Sequence, residues 1–387
     1  MAATPTVSEQ FTRTTLAHIH EYISGQGFFY AKQDIANFFL ALKTKPFVIL
    51  SGISGSGKTQ LVRQFAAALG YADHCTLIPV GADWTDSTDL LGYQDLQGNF
   101  RTRPLLDTIL AAYAQPEAPF FAILDEMNLA RVEYFMGDLL SVMETRCLTD
   151  QRIHTDALLG PSHLGEQGQA ELGHSSIGLP DNLYLIGTIN VDESTHPLSR
   201  KVLDRANVIE MSQVRLDWPS HEEEIPPAQG ITNAFLRASY VHLKDVPLTY
   251  RKRVDHALLL LQKINARLQE ADLAIGYRVR DEFIFYLLAR HEIRELISTE
   301  EALDFQLMQK ILPRIQGSTR RIRLLLDHIL KELYPTALSS GDLLAAEEWE
   351  ELFRSIPSPA PTFPKSVTKL LMMIRRYEED GYTSFWL

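Results

Sequence analysis

Apolar positions along this chain follow two different rhythms. Short, mostly apolar runs, each entering a polar or glycine-containing turn, punctuate the stretch between residues 47 and 211: Phe47-Val48-Ile49-Leu50, Thr76-Leu77-Ile78-Pro79-Val80, Phe120-Phe121-Ala122-Ile123-Leu124, Leu183-Tyr184-Leu185-Ile186 and Val208–Met211. Runs of this length between turn signals read as strands buried on both faces. Helical text separates them: Gln60–Leu69 stopping at Gly70, Pro104–Ala114, and about 130–144. Strands alternating with helices predict an α/β fold with a parallel sheet, whose ligand lies at the C-terminal ends of the strands.

Outside that stretch the period is helical. Phe11, Leu16, Ile19 and Ile23, then Ile35, Phe38, Phe39 and Leu42, give a helical lead-in broken at Gly25 and Gly27. Beyond residue 230, Val254, Ala257, Leu258, Leu261, Ile264 and Leu268 form one face, Phe283, Ile284, Leu287 and Leu288 another, and Ile322, Leu325, Leu326 and Ile329 a third. This text predicts an all-α domain. The expected organisation is a lead-in over 1–43, an α/β core over 44–212, a Pro- and Glu-rich linker over 213–230, a helical lid domain over 231–338 and an extension over 339–387. Residues 145–181 are polar, with apolar–polar alternation near Arg152–Thr155, and predict a hairpin insertion. No internal repeat or low-complexity tract is found.

The turn after the first strand reads Gly52-Ile53-Ser54-Gly55-Ser56-Gly57-Lys58-Thr59 and fits the phosphate-loop pattern G-x-x-x-x-G-K-[ST]. Glycines let backbone N–H groups curl around an anion, and the helix that follows adds a partial positive charge and unpaired donors. Gly52, Gly55, Gly57 and Gln60 are therefore candidate phosphate contacts. Lys58 would bridge the β- and γ-phosphates, and the Thr59 hydroxyl would hold Mg2+. The third apolar run ends in Asp125-Glu126. Asp125 would hold Mg2+ through its water shell, and Glu126 would polarise an attacking water as general base. Standing alone, the same pair would read as a solvated strand end. Asn190 ends the next strand, where an amide can orient that water and sense the γ-phosphate; Asp192 is a weaker candidate. Arg205, in Lys201-Val202-Leu203-Asp204-Arg205, could reach a neighbouring subunit's γ-phosphate, with Arg200 competing for that role and a surface ion pair as the plain alternative. Arg278, at the start of a predicted helix, could contact phosphates from the helical domain. Arg314, Arg320, Arg321 and Arg323 read as a solvated basic face.

Composition narrows the partners. The chain has 387 residues and a formal net charge of −12. That balance argues against a broad nucleic-acid-binding face, although a local basic pore remains compatible with it. Two cysteines, Cys75 and Cys147, argue against a disulfide framework. No apolar run reaches the length of a membrane span, and the first residues do not read as a secretory signal, so a cytoplasmic location is expected.

The order of phosphate loop, Asp-Glu box, Asn-tipped strand, late arginine and helical lid resembles an AAA+ ATPase. Asp86-Ser87-Thr88-Asp89-Leu90-Leu91-Gly92-Tyr93 resembles the insertion of the dynein-related and MoxR-like branch. Leu124–Arg131, Gly187–Thr195, Ile275–Glu282 and Lys310–Arg314 are similar to McrB-type restriction NTPase subunits. The resemblance spans about residues 30–335. It implies an oligomeric motor, a hexameric ring, with Mg2+ as cofactor and ATP or GTP as substrate. A McrC-like nuclease subunit and DNA would be partners in a restriction or defence complex. The basic residue that follows the Asp in the McrB sensor is absent here, and there is no N-K-x-D guanine-reading motif, so ATP is expected first and GTP as the alternative. The chain also offers only a helical lead-in where that family carries a domain for modified DNA. The competing reading is a MoxR-like chaperone that remodels protein partners, with Gly81–Arg103 and 145–181 meeting the substrate in either case.

Overall fold

Six residues buried without a break, Phe47–Gly52, form β1, the strand on which the first half of the chain is assembled. The structure is a computed structural model that describes residues 8–191, 196–211, 225–334, 344–355 and 362–386. It divides into two compact units, Met1–Asp245 and Val246–Leu387.

In the first unit β1 is joined by β2 (Cys75–Pro79), β3 (Phe120–Asp125), β4 (Leu183–Asn190) and β5 (Asn207–Glu210) in one five-stranded sheet of order β2-β3-β4-β1-β5. Every pairing is parallel, and the central strands β1, β3 and β4, whose apolar runs are unbroken, are buried along almost their whole length, whereas the edge strand β2 is half-exposed. Helices α1 (Glu9–Gly25), α2 (Lys32–Thr44), α3 (Lys58–Ala68) and α4 (Pro104–Ala114) supply the covering layers. Ser8 caps α1 by accepting from the Phe11 N–H, and Pro104 opens α4 where a missing N–H costs nothing. The α/β core with a parallel sheet and an all-α region after it is the fold that the sequence pattern predicts.

Several local readings change. The helix expected over about 130–144 is two short pieces, Val132–Phe135 and Gly137–Val142, separated at Met136 (φ −100°, ψ 3°). The polar stretch 81–103 contains a short helix, Thr88–Leu91, and an antiparallel hairpin of Gly92–Gln94 with Phe100–Thr102. The expected insertion hairpin is present as Cys147–Thr149 with Arg152–His154, and the helix Pro161–Leu172 follows, broken at Gly165. Residues 231–245, read from sequence as the start of the helical domain, belong to the first unit. Their anchor is Asn233, fully buried: its amide oxygen accepts from the Tyr184 hydroxyl of β4 at 2.7 Å and its backbone N–H donates to the Glu117 carbonyl at 2.7 Å. The Phe235 ring packs at a tilt against Phe39 of α2, with centroids 4.7 Å apart. Most of the predicted linker, residues 213–224, lies outside the described residues.

The second unit is helical: α5 (Asp255–Glu270), α6 (Tyr277–Arg290), α7 (Thr299–Gln306), α8 (Arg320–Leu333), α9 (Ala346–Ser355) and α10 (Pro364–Asp380). A capping box of Ser298 and Glu301 starts α7, and Asp304 of α7 in turn accepts the N–H groups of Lys365 and Ser366 at the start of α10. The extension 339–387 is thus tied into the helical unit through α10. The basic group is not a uniformly solvated face: Arg314 and Arg323 are buried, and Arg323 pairs with Glu378 of α10 at 3.1 Å. A buried ion pair between Lys310 and Glu282 lies in the same unit.

Replacing Asn233 by Ala leaves the Tyr184 hydroxyl buried without its acceptor. Asn233→Ala should destabilise the first unit by about 2 kcal/mol, read as a lower urea midpoint at unchanged slope.

Candidate functional site: a phosphate loop facing two carboxylates

The strand order decides which side chains meet. β4 lies between β1 and β3, so its C-terminal end separates the glycine-rich turn from the Asp-Glu box. The register pairs Gly52 of β1 with Asn190 of β4, and Leu124 of β3 with Gly187 of β4. Alternation then puts Thr188 and Asn190 on one face of β4, between the turn and Asp125-Glu126.

The turn runs from β1 into α3, whose N-cap is Gly57 in the left-handed region at φ 89°. A side chain at 57 would be strained there and would meet the Tyr30 hydroxyl at 2.7 Å; at Gly52 a Cβ would meet the Met211 carbonyl oxygen at 2.4 Å. Tyr30 donates to the Gly57 carbonyl at 2.8 Å and so braces the turn from the connection between α1 and α2. Burial raises this phenol above its usual range, which keeps it a donor. Gly55 lies within the turn, and Gln60 lies on the first turn of α3. Lys58 is buried over its own loop and donates to the carbonyls of Gly52 at 3.0 Å and Ile53 at 2.7 Å. An ammonium so placed, beside a helix N-terminus, is the arrangement that holds phosphate oxygens.

The carboxylates are held just as closely. Asp125 Oδ1 accepts from the Thr59 hydroxyl at 3.0 Å and from the Thr188 hydroxyl at 2.7 Å. Thr188 also accepts the Glu126 N–H at 3.0 Å. Glu126 itself is left-handed, at φ 53° and ψ 45°, a conformation that costs a non-glycine residue about 1–3 kcal/mol when its surroundings enforce it. Its carboxylate accepts from the Asn190 amide at 3.1 Å. Behind it Met127 packs so closely on Gly187 that a Cβ at 187 would fall 1.9 Å from the Met127 sulfur. The Thr59 hydroxyl and Asp125 carboxylate are hard oxygen donors in mutual contact, which suits Mg2+ shared with phosphate oxygens and water. Among the described residues no cluster of three or more His, Cys, Asp or Glu is placed to hold a metal without such help.

Lys58, Thr59, Asp125, Glu126 and Asn190 therefore converge. Arg205 does not join them. It precedes β5, whose Asn207 pairs with Val48, so it lies level with the start of β1. At about 3.3 Å per residue the loop is about 20 Å away along the strand. Arg205 Nε lies 3.2 Å from Glu144 Oε1, and its Nη1 donates to the Lys201 carbonyl at 2.9 Å. Arg200 opens the short helix Arg200–Leu203. Arg278 is on the first turn of α6 in the second unit, and Asp192 lies outside the described residues.

Sequence reading missed Thr188 and Tyr30. Thr188 had a usable signal, since it stands two positions before Asn190 on the same strand face. Tyr30, 27 residues before the glycine that it touches, had none. Thr188→Val removes one hydroxyl that serves both carboxylate residues. It should leave nucleotide affinity nearly unchanged and slow turnover by about 10–100-fold, whereas Thr188→Ser keeps most activity.

Residues 47–206 match the family described as AAA domain (dynein-related subfamily), and residues 224–382 match a family described as a domain of unknown function, DUF8727. Among solved structures, a candidate ATPase from Cytophaga hutchinsonii is similar at 16% identity over 77% of this chain and 88% of that one, with a TM-score of 0.40. A full-length MCM homolog from Methanopyrus kandleri is similar at 12% identity over 79% of this chain and 62% of that one, with a TM-score of 0.38. No curated protein matches. The match to the dynein-related AAA family falls on four of the five parallel strands, β1 to β4, with the phosphate loop and the Asp-Glu box.

Proposed function

We propose that the chain is a Mg2+-dependent ATPase that works as a ring-forming motor, with GTP as the alternative substrate. One observation carries this reading: Lys58 and Thr59 on one side, and Asp125, Glu126 and Asn190 on the other, meet at the C-terminal ends of β1, β3 and β4. The loop N–H groups, the α3 N-terminus and Lys58 bind the phosphates. Thr59 and Asp125 would hold Mg2+, which would supply charge neutralisation at the transferred phosphoryl group. Glu126 takes the proton of the attacking water, and Asn190 holds both the carboxylate and that water in line. Arg278 is the proposed phosphate contact from the helical region.

Arg205 at the opposite end of the strands cannot serve its own loop without crossing the sheet's length. That placement supports a role on a neighbour's nucleotide and hence a ring, for which a hexamer is the proposed size. Within such a ring the chain would act as the McrB-like subunit of a restriction or defence complex, in the cytoplasm, with a McrC-like nuclease and DNA as partners. The described residues contain no helix long and apolar enough to cross a membrane. One observation favours the second reading, a MoxR-like remodeller of proteins. The hairpin of Gly92–Gln94 with Phe100–Thr102 presents Tyr93 and a fully exposed Leu96 on a chain of net charge −12. Stimulation of turnover by DNA supports the first reading, and indifference to DNA the second.

Glu126→Gln should retain nucleotide binding while turnover falls by about 10²–10⁴-fold, checked by equilibrium binding and phosphate release; undiminished release would remove Glu126 from the mechanism. Arg205→Ala should lose about 10³-fold or more in turnover, and mixing it with Lys58→Ala subunits should restore part of it. No recovery at any mixing ratio contradicts a role in trans.

A further inference from the structure

The segment that begins with the catalytic carboxylates ends at the arginine. From Asp125-Glu126 the chain passes through the turn Met127–Leu129 and the two short helices to the turn Met143–Thr145. That last turn carries Glu144. Its Oε1 lies 3.2 Å from Arg205 Nε and 3.7 Å from Lys45 Nζ. Lys45 is two residues before β1, and its side chain is only 5% exposed. A buried ammonium needs a counter-charge, so Lys45 fixes Glu144, and Glu144 fixes one edge of the Arg205 guanidinium. The Lys201 carbonyl takes Nη1. The carboxylate beside Nε and the hydrogen bond at Nη1 together restrict the guanidinium's orientation, and a planar donor set is what phosphate recognition by arginine relies on.

We propose that Glu144, backed by Lys45, is the positioning residue for Arg205: it holds the guanidinium in the orientation that a neighbouring subunit's nucleotide requires. The inference rests on the reading of Arg205 as an arginine acting in trans. It makes residues 125–145 a single segment with two duties. Its first residues act on the subunit's own nucleotide, and its last aims the group offered to the next subunit.

The test uses the whole chain and per-site ATP turnover in four preparations: Arg205→Ala, Glu144→Gln, and each of these mixed with Lys58→Ala. Glu144→Gln keeps an oxygen toward Lys45 but drops the charge that orients Arg205. Its own nucleotide affinity should stay unchanged, and turnover should fall by about 10–100-fold, the loss expected of a misaimed catalytic group. Lys58→Ala subunits supply an intact Glu144–Arg205 pair to the neighbouring site, so mixing should raise the turnover of Glu144→Gln sites, as it does for Arg205→Ala. A role confined to the subunit's own fold would not be relieved by a neighbour. Where Glu144→Gln does not yield folded protein, Glu144→Asp, which withdraws the charge by one methylene, takes its place. Wild-type turnover in the Glu144 variant, or a loss that mixing does not relieve, overturns the inference while a rescued Arg205→Ala keeps the trans reading. Failure of Arg205→Ala to lose turnover, or to be rescued, overturns both.

Discussion

The structure depends on one constraint of strand order. β4 is inserted between the strand that carries the phosphate loop and the strand that carries the carboxylates. Parallel pairing then fixes Gly52 beside Asn190 and Leu124 beside Gly187, and every close contact of the site follows from that register. A one-residue slip of β4 would turn Thr188 and Asn190 to the other face. Because all eight residues of β4 are buried, such a slip has no solvent face on which to leave an apolar residue, and the register is held by packing on both sides.

Within that frame the site is a short chain of hydrogen bonds: Thr59 to Asp125, Thr188 to Asp125, the Glu126 N–H to Thr188, and Asn190 to Glu126. The left-handed backbone of Glu126 is held between the Thr188 hydroxyl on its N–H and the Asn190 amide on its carboxylate. Gly187 lets Met127 pack directly beneath. The opposite end of the same sheet carries a second polar group, built from Lys45, Glu144 and Arg205. One sheet therefore carries a polar cluster at each end, and about 20 Å of parallel strand separates them.

Much of this was legible in the sequence, for physical reasons. Buried parallel strands leave unbroken apolar runs, and a phosphate loop needs glycines and a Lys-Thr pair at fixed spacing, so the sheet and Lys58, Thr59, Asp125, Glu126 and Asn190 could be read directly. Contacts between distant segments could not. Tyr30 reaches Gly57 from another connection, and Asn233 ties residues 231–245 to the sheet although their text continues into helical sequence. The short hairpin Gly92–Thr102 has only three residues per strand, too few for alternation to stand out. Arg323 looked solvated because its partner Glu378 lies 55 residues later. The period of an apolar face shows which side is buried, but not which charges are buried with it.

The central claim is that the phosphate loop is half of a site whose other half comes from a neighbouring subunit. ATP turnover per subunit, measured with Mg2+ across protein concentrations that span assembly, tests it most directly. The account predicts that specific activity rises steeply as subunits associate and reaches a plateau once assembly is complete. Full activity in dilute, unassembled protein, constant across the whole range, would contradict it.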